Sequence, residues 1–172
     1  MESRRISDIF DPLKPRQMRM PRHQRAFTAS SQGISSSMIR RATLEDVMTA
    51  VDWVERLRAS IDGMMPVSRP WTASVIANLI QSPDALVLLS GDADRGGFLA
   101  ASIQPTVINP ARVAMESGWF ANDGSGLRLL RAFEKWATDQ GAEMVKMSTG
   151  AIGPDLGRIG YTMTEKTWVK RV

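Results

Sequence analysis

Between Arg112 and Thr149 the apolar positions change period twice, and the changes predict strand, glycine loop, helix and strand. From Arg112 to Ala121 the residues alternate, with Val113, Met115 and Trp119 expected on one face and Ala114, Glu116 and Phe120 on the other. Asn122, Asp123, Gly124, Ser125 and Gly126 then break the pattern, as turn residues do. From Leu127 the spacing is helical. Leu129, Leu130, Phe133, Trp136 and Ala137 form one stripe, with Arg128, Arg131 and Lys135 opposite. Gly141 stops the helix where a left-handed cap is wanted, and Glu143 to Thr149 reads as a short strand.

Upstream, Met38 to Ala42 reads as a first strand. Thr43-Leu44-Glu45-Asp46 has the form of a capping box, opening a helix with the stripe Val47, Ala50, Val51, Val54, Leu57 and Ile61 that Gly63 ends. Met64 to Pro70 is a connection, and Trp71 to Ile80 is a second helix with Val75, Ile76, Leu79 and Ile80 inside. Asp84 to Ser90 reads as a buried strand, Gly91 to Gly97 as a hairpin turn and Phe98 to Gln104 as the next strand. Asn109-Pro110 turns the chain into the Arg112 strand. Downstream, Gly150 to Pro154 is loop, Asp155 to Ile159 a helical turn or two, and Tyr161 to Val172 a terminal strand region with Met163, Trp168 and Val169. This order predicts an α/β (α+β) fold, a mixed sheet with helices on both faces.

Residues 1–37 carry no sustained apolar period, contain Pro12, Pro15 and Pro21, and end in a serine-rich run. They read as an extended or flexible arm and linker, with a globular domain over 38–172. The charge is divided the same way. The arm holds seven basic and three acidic residues, and the rest of the chain holds fifteen of each. The net +4 therefore belongs to the arm. Such an arm is either a solvated tail or a docking segment for an acidic partner or a protein assembly. It is also the one part of the chain suited to nucleic acid.

The longest apolar stretch, Ala85 to Leu89, is too short to cross a membrane, so no membrane partner is expected. No cysteine is present, which excludes disulfides, thiolate metal sites and a cysteine nucleophile and fits a cytoplasmic setting. With His23 the single histidine, a histidine triad or zinc site is not expected. Asp92 and Asp94 lie beside glycines, but their spacing is not that of a calcium loop, and no metal is expected.

A glycine loop entering a helix leaves backbone N–H groups unpaired at the positive end of the helix dipole. Gly124, Ser125 and Gly126 are thus either a turn or a phosphate cradle, since glycine lets a backbone approach a phosphate closely.

The order Glu116-x-Gly118-Trp119-Phe120, glycine loop, Gly126-Leu-Arg-Leu-Leu-Arg-Ala-Phe-Glu-Lys-Trp-Ala137, then Gly141-Ala-Glu143 resembles the core of the GNAT superfamily of acyl-CoA-dependent N-acetyltransferases. It is most similar to the small GNAT-like proteins of tailed bacteriophages. The likeness runs from about Met38 to Val172 and includes Ile39 to Thr43 and Gly160-Tyr161. It implies a sheet whose two central strands splay apart, with acetyl-CoA as cofactor and an amine as acceptor. By resemblance, backbone N–H groups across Gly124, Ser125, Gly126 and Leu127 hold the pyrophosphate. Those near Trp119, Phe120 and Ala121 polarise the thioester oxygen, and Glu116 is the candidate base. Met64, Met65 and Trp71 are expected either in the acceptor wall or in ordinary packing. Arg128, Arg131 and Lys135 are expected either at the cofactor's 3′-phosphate or as a solvated helix face.

The loop also departs from the family pattern. Ala121 stands where the family has Arg or Gln, Asp123 adds a negative charge, and the turn from Asp155 to Ile159 carries neither the family's Asn nor its Tyr. Tyr161 follows Gly160 at a strand entrance, where a structural role is expected. A second class therefore stands beside the enzyme. It is a GNAT fold kept as a structural or interaction protein, such as a bacteriophage virion component docked through its basic arm, found in the host cytoplasm or the virion.

Overall fold

The computed structural model describes residues 38–61, 65–150 and 153–170. The expected arm over 1–37, the stop at Gly63 and the wall residue Met64 lie outside them. Strands β1 (Arg40–Arg41), β2 (Ala85–Gly91), β3 (Gly96–Pro105), β4 (Arg112–Ala121) and β5 (Met144–Lys146) form one sheet in that spatial order. All neighbours are antiparallel except β4 and β5, which are parallel. Helices α1 (Val47–Ser60) and α2 (Arg69–Gln81) precede β2, and α3 (Gly126–Asp139) links β4 to β5. Short 3-10 turns lie at Leu44–Asp46 and Leu156–Ile159.

The sheet is covered on both faces, as the element order predicts. On one face the α3 stripe of Leu129, Leu130, Phe133, Trp136 and Ala137 packs on Leu86, Leu88, Leu99, Ala101 and Ala114. On the other, Ala50 and Trp53 of α1 and Ile76 of α2 pack on Val87, Leu89, Phe98 and Ala100. β2 is buried from Ala85 to Ser90 because each face has its own helical layer. Trp53, outside the predicted α1 stripe, is nearly fully buried, and its ring lies 5.9 Å from that of Phe120. Arg69 at the start of α2 reaches back to α1, donating to Asp52 Oδ1 at 2.7 Å and to Glu55 Oε2.

The turn before α1 has the expected capping chemistry. The Thr43 N–H donates to Asp46 Oδ2 at 2.8 Å, and Arg40 grips both carboxylate oxygens of Asp46 at 2.7 Å. Gly141, with φ of +69°, ends α3 in the left-handed conformation expected of it.

Two expectations fail. First, residues 161–170 form no strand. Met163 and Trp168 stay 83% and 90% exposed, and the segment meets β5 through an ion pair between Lys146 and Glu165 at 2.6 Å. A strand needs a neighbouring edge for its N–H and C=O groups, and among the described residues β5 is a three-residue strand paired on its β4 side alone. Second, β4 does not keep one alternation along its length. Ala101 pairs with Glu116 and Ala100 with Gly118, so Ser117 is an extra, unpaired residue and a β-bulge. The bulge reverses the facing of everything after it. Trp119 and Ala121 therefore join Ala114 on the α3 side, and Phe120 turns to the α1 side. The even alternation read from the sequence puts Trp119 with Val113 and is wrong beyond Ser117.

Candidate functional site

β4 and β5 stay together briefly. Their pairing covers Val113 to Met115 against Met144 to Lys146 and then stops. β4 runs on to Ala121 beside β3, while the chain after β5 departs, so the expected Glu143–Thr149 strand is cut short at Lys146. The sheet therefore opens between its fourth and fifth strands. At this opening the bulge sets the side chains of β4, placing Trp119 and Ala121 towards α3.

The loop that follows is stapled from several sides. The Asn122 N–H donates to Gly96 O, Asn122 Oδ1 accepts from the Gly96 N–H, both at 2.9 Å, and Asn122 Nδ2 donates to Asp94 O at 3.0 Å. These bonds tie the loop to the β2–β3 hairpin. Asp123 Oδ1 accepts from the Ser125 N–H at 2.8 Å. Gly124 has φ of +82°, a conformation that glycine alone adopts without strain. Ser125 occupies the N-cap position of α3, yet its side chain caps nothing. The hydroxyl points into the core, where it lies 2.6 Å from Ser90 Oγ, both side chains being buried.

The first-turn N–H groups of α3, those of Gly126 and Leu127, have no acceptor within the helix, and the residue best placed to cap them has turned its oxygen away. Gly126 and Leu127 line a cavity of about 580 Å3 between the β4–α3 corner and the 154–159 segment. Trp119, Phe120, Ala121, Gly124, Gly126 and Leu127 line one side, and Pro154, Leu156, Arg158 and Ile159 the other. The Trp119 indole N–H donates to Gly126 O at 3.1 Å, which fixes the ring against the helix start. A Cβ on Gly126 would lie 3.4 Å from Trp119 Cζ2, so a longer side chain there would enter the cavity or displace the ring.

Of the residues the sequence points to, Trp119, Phe120, Ala121, Gly124, Gly126 and Leu127 converge on this cavity, and Ser125 lies beneath it. Sequence reasoning missed the far wall. The 155–159 turn is foreseen as an element, but its seat opposite α3 has no signature in local pattern. Leu130, read as core, also reaches the cavity.

Glu116 is not in the cavity wall. It stands on β4 just past the last residue paired with β5. Its Oε2 accepts from Ser148 Oγ at 2.6 Å and from the Ser148 N–H at 3.1 Å, across the opening between the strands. Among the described residues, Oε1 has no hydrogen-bond partner. Burial pushes this carboxyl above its ordinary value, and the two Ser148 bonds, which favour the anion, oppose the shift.

Tyr161 lies elsewhere, its hydroxyl donating to Glu134 Oε1 at 3.0 Å on α3, in keeping with the structural role expected. Burial first, and the Glu134 carboxylate second, raise its pKa. On the exposed face of α3, Arg131 pairs with Glu134 and Lys135 with Asp139. Met65 and Trp71 are 76% and 71% exposed and stand outside the cavity. Among the described residues no group of acidic or histidine side chains could hold a metal ion, and no helix is long and apolar enough to cross a membrane.

No protein-family model and no curated protein sequence matches the chain. Solved structures do. A predicted acetyltransferase from Clostridium acetobutylicum, with acetyl-CoA, superposes with a TM-score of 0.65 at 13% identity, over 78% of this chain and 95% of that one. An aminoglycoside N-acetyltransferase in complex with CoA gives 0.61 at 15% identity, over 78% and 93%. A GNAT family acetyltransferase from Staphylococcus aureus gives 0.56 at 15% identity, over 78% and 98%. The five-stranded sheet that opens between β4 and β5, with α3 at the mouth of the opening, is thus the GNAT fold.

Proposed function

We propose that this chain is an acetyl-CoA-dependent N-acetyltransferase of the GNAT type, acting on an amine. The observation that carries the reading is the diverted N-cap. Ser125 spends its hydroxyl on Ser90 and does not cap α3, whose first-turn residues Gly126 and Leu127 line an apolar cavity. That combination suits a molecule with a phosphate group at one end and a slender apolar arm at the other. The proteins of like fold that hold acetyl-CoA or CoA support the same occupant.

Bound there, acetyl-CoA supplies an acetyl group activated as a thioester. The chain's own groups do the rest. The Gly126 and Leu127 N–H groups bind the pyrophosphate, and Gly124 keeps that approach free of any side chain. Backbone N–H groups between Trp119 and Ala121, on the edge of β4 released by β5, would face the acyl oxygen as an oxyanion hole. Glu116 takes the proton from the acceptor ammonium on Oε1, while Ser148 holds Oε2 and fixes the plane of the carboxylate. Its raised pKa suits a base.

The first test is calorimetric titration of the full chain with acetyl-CoA, beside Gly126→Trp, which fills the cavity. Micromolar binding that the variant loses supports the reading and opens an acceptor screen with Glu116→Gln as the inactive control. Absence of binding at millimolar acetyl-CoA overturns it.

A second reading is favoured by the charge distribution. All of the net positive charge lies in residues 1–37, and Ala121 brings no cation to the loop. In that reading the GNAT fold is an interaction module, such as a bacteriophage virion component, docked by its basic arm onto a protein assembly. Its signature is failure to bind acetyl-CoA together with loss of assembly on deletion of residues 1–37.

A further inference from the structure

We infer that Arg158 supplies the cationic contact to the cofactor pyrophosphate that the β4–α3 loop itself lacks. The inference rests on the acetyl-CoA reading above and concerns a residue outside the glycine loop. Among the described residues two charged side chains line the cavity, Asp155 and Arg158, both on the 155–159 segment facing the N-terminus of α3. The near wall offers glycines and apolar side chains, Ala121 among them, and no cationic side chain among the described residues.

Arg158 is free to serve. Its nearest carboxylate is Asp155, whose Oδ2 is 3.9 Å from Arg158 Nε, at the limit of an ion pair, and the two side chains are 87% and 74% exposed. Exposed pairs of this kind contribute little. Asp155 has a prior use, since its Oδ1 accepts from the Gly157 N–H at 2.9 Å and caps the turn that carries Arg158. Asp155 therefore positions Arg158 without neutralising it. A guanidinium meets a phosphate through two parallel hydrogen bonds, and the pyrophosphate carries two negative charges in all against the one of a carboxylate. Backbone donors on one wall and a guanidinium on the other would hold the pyrophosphate between them. The arrangement replaces a loop cation with one from the opposite side of the cleft.

The test is calorimetry of the full chain with CoA, dephospho-CoA and pantetheine, for the wild type, Arg158→Ala and Arg158→Lys, all at one salt concentration. Arg158→Ala is expected to weaken CoA and dephospho-CoA alike by about tenfold, or about 1.4 kcal/mol. Arg158→Lys should recover part of the loss, and pantetheine, which has no phosphate diester, should bind all three proteins equally. Unchanged CoA affinity in Arg158→Ala overturns the inference while leaving the acetyl-CoA reading intact. A loss confined to CoA, which moves the contact to the 3′-phosphate, or an equal loss for pantetheine, which makes Arg158 a wall residue, also overturns it. A wild type that binds no CoA removes the acetyl-CoA reading itself.

Discussion

The hydroxyls of Ser90 and Ser125 meet at 2.6 Å inside the protein, joining strand β2 to the N-cap of α3. Each is the other's partner in an apolar setting. Removing one oxygen leaves its mate buried and unpaired, at a cost of about 1–3 kcal/mol. Ser125→Ala and Ser90→Ala are each expected to lower stability by that amount, and the double variant by much less than the sum. Urea denaturation of the four proteins, analysed as a double-mutant cycle, checks this. Strict additivity would mean that the two hydroxyls do not act on each other.

The β3–β4 pair is a second point of sensitivity, because it holds Trp119 to Ala121 in place. A Cβ on Gly97 would lie 2.5 Å from the Phe120 carbonyl oxygen and 2.6 Å from the Ala121 Cβ. The first of these neighbours is backbone and cannot rotate away. Gly97→Ala should therefore push β4 from β3 at the cavity wall, destabilising the fold by about 1–3 kcal/mol as overpacking does and weakening acetyl-CoA binding. Thermal unfolding and titration of the same sample test both effects. Unchanged stability would mean that the strands part at no cost.

These two sites show which features the sequence makes legible. The α3 stripe, the Gly141 stop and the Thr43–Asp46 turn follow from local period and capping chemistry, and they stand where that chemistry places them. The facing of Trp119 does not follow. A one-residue bulge at Ser117 looks in sequence like unbroken alternation, and its presence depends on how β3 pairs across from it. Ser125 reads in sequence as part of a turn or cradle, but its partner Ser90 is a strand residue far away in sequence, and that contact turns the hydroxyl into the core. The far wall of the cavity is likewise a matter of tertiary placement. The terminal strand fails for a related reason, since alternating residues after Tyr161 do not make a strand without an edge to join.

Asp46 gives the fold an acid limit. The Arg40 guanidinium beside it, and then the Thr43 N–H and hydroxyl, hold its carboxyl well below the usual range. A carboxyl depressed in the folded state stabilises the protein above its unfolded pKa, and that contribution is lost as the pH falls through the range below the ordinary value of 3.8. Asp46→Asn should cost about 1 kcal/mol at neutral pH, the usual worth of a helix cap, because the half-exposed arginine contact adds little. The difference between wild type and variant should shrink as the pH drops below the ordinary aspartate range. Equal differences at pH 7 and pH 2 in denaturant titrations would rule out the ionised cap.

Glu116 has the opposite sign, and its two effects can be separated. Burial raises its pKa above the ordinary 4.5, so the folded state holds this proton more tightly than the unfolded chain does. Its contribution to stability is complete below the unfolded pKa and declines as the pH rises through the folded one. Glu116→Gln cannot ionise, so its stability relative to the wild type should improve across that window. If Glu116 is the base, the same substitution should lower turnover by about 10²–10⁴-fold with acetyl-CoA affinity unchanged. The acid limb of the wild-type rate profile should lie above the ordinary glutamate range. Ser148→Ala decides between base and brace. The two Ser148 bonds favour the anion, so losing the hydroxyl should move that limb to still higher pH while activity survives on the alkaline side. A profile that does not move would leave Glu116 as a strut between β4 and the segment after β5, and the proton would have to leave by another route.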